Sequence, residues 1–187
     1  MSAVRLLVLG AVRRRGRAHG YQVRSDLESW GAHEWSNATS GSVYHALKAM
    51  SAQGLLLPHE TTPSEAGGPP RLEYEVTEEG EREYFALLRA ALTRHDPRLD
   101  VLAAAVGLIE DLPRPQAVDL LRERARAMDD WRTAVAGQLP PGTDLETWGP
   151  VGEVIGLWLH TAESRAQWTH RLIGRLEAGA FRMAGED

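Results

Sequence analysis

Apolar positions recur along most of this chain at helical spacing, and in one segment at a spacing of two. Residues 6–12 are almost all apolar, so the first helix must be buried on nearly every side. It ends in an arginine-rich stretch closed by Gly16. Beyond Gly20, Val23, Leu27 and Trp30 follow at steps of four and three, the stripe of a second helix. After a polar loop over 31–39, Ser40 stands where a cap belongs, and a third helix runs from it to about Gln53. Val43, Leu47 and Met50 form its inward stripe and Gly54 stops it. At ~100° per residue the opposite face carries Gly41, His45, Lys48 and Ala52, with Ser42 and Tyr44 on its flanks.

Residues 55–60 read as a strand. Over 72–77, Leu72, Tyr74 and Val76 alternate with Glu73, Glu75 and Thr77, the period of a half-buried strand. Pro63, Gly67, Gly68, Pro69 and Pro70 exclude a helix between the two, which leaves a hairpin with a long tip. A fourth helix opens after Thr77 with Glu78 and Glu79, carries Tyr84, Leu87, Leu88 and Leu92, and ends near Arg94, charges that suit its dipole.

Strand signals cease at Pro97. Three helices are predicted beyond it, over about 98–111, 115–138 and 149–179. The second carries Val118, Leu121, Ala125, Met128, Trp131 and Val135 in one stripe, and the third carries Val154, Ile155, Trp158, Ala162, Ala166, Leu172, Ile173 and Leu176. Stripes of this length need a partner, and another copy of the chain would supply it. The expected fold is therefore mainly α with a small β-hairpin: a first domain over 1–96 and a helical dimerisation domain over 97–187.

Composition narrows the function. With 43% hydrophobic and 25% charged residues in 187, the chain is an ordinary globular one. It contains no cysteine, which removes disulfides, thiolate metal sites and a cysteine nucleophile. The net charge is −5, yet the first 59 residues hold seven basic side chains against three acids. The run over 6–12 is far short of the ~20 residues that span a bilayer, and its arginines follow it, the reverse of a secretory signal. A cytoplasmic protein without membrane attachment is expected. No phosphate loop, dinucleotide fingerprint, nucleophile elbow or His-Glu-x-x-His occurs, so neither an enzyme nor a cofactor is expected. His160, Glu163, Gln167 and His170 share one face of the last helix but lack the Glu-x-x-His order of di-metal bundles, and no metal is assigned to them. Among the aromatic residues of the C-terminal half, Trp131 and Trp158 sit on the apolar stripes and are the candidate effector-binding residues.

Three helices followed by a hairpin is the order of a winged helix–turn–helix. In that arrangement the second helix crosses the phosphate backbone, the third enters the major groove of double-stranded DNA, and the hairpin reaches a neighbouring groove. The small polar face of Gly41, His45 and Lys48 suits the groove, and Arg71 at the hairpin suits phosphate. Residues 19–23 (HGYQV), 40–47 (SGSVYHAL), 53–55 (QGL) and 74–80 (YEVTEEG) stand in the order and spacing of the PadR family of bacterial transcriptional regulators, which the first half of the chain resembles. The resemblance implies a dimeric DNA-binding repressor relieved by a small molecule, and the function expected is that of a homodimeric repressor of a pseudo-palindromic operator, relieved by a small apolar or aromatic ligand. It implies a phosphate contact for Tyr21 and places Ser40, Ser42 and Tyr44 at the start of the recognition helix. The alternative is a non-catalytic winged-helix module that binds a protein, favoured by the acidic balance and the Glu-bearing wing.

Overall fold

The computed structural model describes residues 2–60, 72–94, 98–140 and 142–186. The chain divides into two compact units, Met1–Ala91 with Arg98–Leu108, and Leu92–Pro97 with Ile109–Asp187.

The first unit is organised around helix α1 (Ala3–Arg15), whose residues from Leu6 to Val12 are all buried, as their unbroken apolar character requires. Gly16 closes it with φ +72°, a conformation open to glycine, and its N–H returns to Arg13 O. Helices α2 (Gly20–Ser29) and α4 (Ser40–Ala52) pack beside it through Val23, Leu27, Val43, Leu47 and Met50. Two local features differ from the pattern reading. The loop over 31–39 contains a short helix, α3 (Ala32–Trp35), held by Ser36 Oγ donating to Ala32 O at 2.6 Å. The cap of α4 is Thr39, whose Oγ1 accepts from Ser42 N at 3.2 Å, and Ser40 is the first helical residue.

The hairpin of β2 (Leu56–Glu60) and β3 (Leu72–Val76) gains a third strand, β1 (Arg17–His19), giving an antiparallel sheet in the order β1-β3-β2. On one side of β3, Arg17 lies opposite Glu75 and His19 opposite Glu73; on the other, Leu57 and His59 occupy those positions. The central strand's two acids thus meet basic side chains: Glu75 pairs with His59 at 2.7 Å and with Arg17 at 2.9 Å, and Glu73 with His19 at 3.2 Å. The hydrogen bond from His59, with Arg17 adding to it, holds the Glu75 carboxyl below its ordinary value.

Helix α5 (Glu78–Thr93) follows, with Tyr84 and Leu88 buried. Helix α6 (Leu99–Gly107) lies beyond position 97, where the pattern places a boundary, yet it packs in the first unit. Leu108 just after it reaches Gly10 of α1, where an added Cβ would stand 3.0 Å from the Leu108 methyls.

In the second unit, α7 (Arg114–Gln138) and α8 (Pro150–Glu177) lie antiparallel. Arg114 at the start of α7 donates to Leu176 O in the last turn of α8 and to Ala180 O just beyond it, at 2.6 and 2.8 Å, and forks onto Glu186 at 2.6 Å on both oxygens. Ala117, Val118, Leu121, Ala125 and Met128 of α7 and Ala162, Ala166, Ile173 and Leu176 of α8 are its buried stripes. Toward the start of α8 the stripe surfaces: Val151, Val154, Leu157 and Trp158 are exposed. No helix among the described residues is long and apolar enough to cross a membrane.

Candidate nucleic-acid interface

The inward stripe of α4 turns the helix so that Gly41, His45 and Lys48 all face outward and are exposed. A Cβ on Gly41 would meet nothing within 4 Å, so the bare backbone here leaves the helix start open to close approach. Among the described residues neither His45 nor Lys48 has a hydrogen-bond or ion-pair partner. Ser40 is exposed in the first turn, where backbone N–H groups lack intrahelical acceptors. Ser42 is half-buried and its hydroxyl lies 2.6 Å from Asn37 O and 2.9 Å from Thr39 O, which ties the loop to the helix and leaves only its lone pairs to a ligand.

Two tyrosines flank this face. Tyr21 is 48% exposed and stacks on His19, with ring centroids 5.3 Å apart and planes at 17°. Tyr44 is 46% exposed and lies against Gly20, where an added Cβ would stand 2.5 Å from its Cε1. The structure thereby brings Tyr21 and Tyr44 together at the start of α2. Tyr74 of β3 is close by; its burial, and after that the Tyr44 phenol, push the Tyr74 hydroxyl above its ordinary value. The two exposed tyrosines have apolar rings and polar tips, and they flank a lysine and a histidine whose side chains have no partner among the described residues, a set of hydrogen-bond donors suited to anionic oxygens.

The basic character of the N-terminal third is largely consumed internally. Arg15 forks onto Asp26 at 2.6 Å through Nε and Nη2, Arg13 reaches Glu81 at 2.9 Å, Arg5 reaches Glu83 at 3.1 Å, and Arg24 pairs with Glu28 at 3.4 Å. The fork, foremost, raises the Arg15 guanidinium above its ordinary value. Arg71 lies outside the described residues.

In the second unit Trp131 is half-buried on α7 and Trp158 is 55% exposed on α8. A cleft of about 700 Å3 opens between these helices, lined among others by Asp129, Arg132, His160 and Glu163. Neither tryptophan lines it.

Pattern reasoning passes over Thr39, His19 and Tyr74 at this surface. Thr39 differs from the expected cap by one position, His19 belongs to a strand of three residues, and Tyr74 is visible only as an inward member of the alternating strand.

Residues 8–86 match the family described as Transcriptional regulator PadR-like family. Among solved structures the chain is similar to Bacillus subtilis PadR in complex with operator DNA, at 18% identity and a TM-score of 0.40 over 92% of this chain and 98% of that one. It is similar also to the same PadR in complex with p-coumaric acid, at 18% identity and a TM-score of 0.37 over 94% of this chain and 96% of that one. A third is smu.1604c from Streptococcus mutans UA159, at 18% identity and a TM-score of 0.40 over 91% and 98%. No curated protein matches the sequence.

Proposed function

Residues 8–86 match a family of DNA-binding transcriptional regulators, and from that premise we propose that the chain is a homodimeric repressor of a pseudo-palindromic operator, working in the cytoplasm without cofactor or catalysis. The observation that carries the reading is the outward face of α4, where Gly41, His45 and Lys48 are exposed, with no partner for the His45 and Lys48 side chains among the described residues, while Val43, Leu47 and Met50 hold the opposite face in the core. Inserted in the major groove, Lys48 and His45 read base edges, with Ser40 and Ser42 at the helix start and Tyr21 and Tyr44 on the adjoining phosphates. Arg71 is assigned to the wing contact. Two copies of the chain place two such helices one DNA turn, roughly 34 Å, apart.

The exposed apolar face at the start of α8 supports the dimer, because a monomer would leave Val151, Val154, Leu157 and Trp158 in water. An apolar or aromatic ligand held by Trp131 and Trp158 would relieve repression if it favoured one spacing of the two reading helices over another. Couplings of about 1–3 kcal/mol are typical of such switches. The protein-binding alternative leans on an acidic wing, and Glu73 and Glu75 are instead partnered by His19, Arg17 and His59.

Selection of bound sequences from a random duplex pool, followed by mobility shifts, tests the reading. The wild-type chain should enrich an inverted repeat. Lys48→Ala with His45→Ala should weaken it at least about tenfold, and Tyr21→Phe, which removes a neutral hydroxyl donor, should weaken it severalfold with the salt slope unchanged. Retention of full specific affinity by the double variant would show that another surface reads the DNA.

A further inference from the structure

One face of the small sheet carries Arg17 and His19 on β1, Glu73 and Glu75 on β3, and Leu57 and His59 on β2. Glu75 takes both Arg17 and His59, at 2.9 and 2.7 Å. Glu73 has His19 as its basic contact among the described residues, its Oε1 lying 3.2 Å from Nε2. The other ring nitrogen, Nδ1, lies 3.1 Å from Leu72 O. Both oxygens are acceptors with no hydrogen to give. A neutral imidazole has one N–H, so one of its nitrogens would turn a lone pair on an oxygen, and only the imidazolium offers a donor to each. A lone pair on Nδ1 could still serve the Gln22 N–H of the capping box, but Leu72 O would then lose that donor.

The same ring is the platform under Tyr21. His19 ends β1 and caps α2, its backbone N–H donating to Gln22 Oε1 at 2.8 Å. Tyr21 follows in the first turn of α2, stacked on the imidazole. We propose that His19 is the positioning residue of the Tyr21 contact with DNA, acting as an imidazolium held between Leu72 O and Glu73. A positive ring attracts the π face of a phenol laid on it, so the charge on His19 and the place of Tyr21 are set together. A side chain fixed before DNA arrives loses less rotamer freedom on binding than a free one. The charged and titratable groups around His19 are Arg17, Tyr21, His59, Glu73 and Glu75, with Tyr44 across Gly20; Arg15, which acts on Tyr21, is committed to Asp26. The DNA contact rests on the regulator reading, whereas the stack and its charge do not.

Mobility shifts on the selected inverted repeat at two pH values test the inference, with His45 present in every chain compared. His19→Gln keeps hydrogen-bonding groups but not the charge; it should weaken binding about fivefold at about pH 5.5 and less than about twofold at about pH 8.5, beyond the histidine range. In a Tyr21→Ala background the same substitution should change affinity less than about twofold at either pH, because it acts through Tyr21. His59→Gln, which alters the sheet but not the stack, should behave as wild type. In the free chain, nuclear Overhauser contacts between the Tyr21 and His19 rings should be present at the lower pH and lost in Glu73→Gln. Should His19→Gln fail to fold, as shown by its circular dichroism, Glu73→Gln takes its place in each comparison with the same outcomes expected. Equal weakening at both pH values, additive effects of His19→Gln and Tyr21→Ala, or the same loss in His59→Gln overturns the inference. Full operator affinity in His19→Gln sinks it and leaves the regulator reading standing. A wild type that binds no duplex sinks the regulator reading instead, and the ring contacts in the free chain then decide whether His19 holds Tyr21.

Discussion

At Gly20 one hydrogen atom separates α2 from the ring of Tyr44. A methyl group there would stand 2.5 Å from Cε1, 3.1 Å from Cδ1 and 3.3 Å from Cζ. The obstacle is an exposed side chain and not backbone, so Gly20→Ala is relieved by swinging Tyr44 aside, at a cost of about 1 kcal/mol or less in stability. The swing removes Tyr44 from the edge of the proposed DNA surface. Thermal unfolding should therefore change little, while operator affinity in a mobility shift falls about fivefold; an unchanged affinity would show that the ring's position is immaterial. At this scale the outward face of α4 was legible in the sequence, because helical periodicity turns Gly41, His45 and Lys48 outward once Val43, Leu47 and Met50 are inward. The fate of the arginines was not. Arg15 meets Asp26 across 11 positions, Arg17 meets Glu75 across 58 and Arg13 meets Glu81 across 68, distances over which charge order in the chain says nothing about who meets whom.

Elements are joined here by small residues at fixed places. The 74–80 segment that helps mark the family resemblance is a joint between sheet and helix: Thr77 Oγ1 donates to Gly54 O at 2.7 Å and accepts from Gly80 N at 3.0 Å. A Cβ at Gly80 would fall 2.2 Å from Leu55 O, a backbone atom with nowhere to move. Gly80→Ala should accordingly lower the urea midpoint by the equivalent of about 2–4 kcal/mol, and Thr77→Val by about 1 kcal/mol through the lost cap. A second joint closes the antiparallel pair α7 and α8, where Arg114 holds Glu186 and, chiefly by that hydrogen bond, lowers its carboxyl from 4.5 to about 2. A carboxyl depressed on folding contributes stability that is complete above its unfolded value and is lost as pH falls through the folded one. The Tm gap between wild type and Glu186→Gln should thus hold steady above pH ~5 and shrink toward pH ~2; a gap indifferent to acid would mean the pair adds nothing. Long helices were readable to within a residue or two, as with Arg114–Gln138, because many turns average out local noise. The three-residue β1 and four-residue α3 were not, being shorter than the window in which any period can show.

For the whole molecule, the long apolar stripes of α7 and α8 were legible in the sequence, but not which core each apolar helix joins. Helix α6, with Val101, Leu102, Ala104 and Ala105 buried, announces burial by its composition and leaves its destination open; it joins the first unit. The start of α8 shows the complementary case. Leu157 is 63% exposed and Val151 61%, a contiguous apolar surface that single chains in water rarely keep. A two-fold partner would bury the same patch on both copies, so one substitution acts twice. Leu157→Asp with Val154→Asp places four carboxylates in the proposed contact. Each is unpaired there and costs far more to desolvate than the leucine or valine contributed. In sedimentation velocity at micromolar concentration the wild type should run as a dimer and the double variant as a folded monomer. Losing the link between two half-sites removes the effective concentration that makes the second contact intramolecular, which lowers operator affinity by about 100-fold or more while each half-site is still read. A double variant that remains dimeric would move the interface elsewhere on the helical unit, and a wild type that sediments as a monomer would refute the two-fold operator reading.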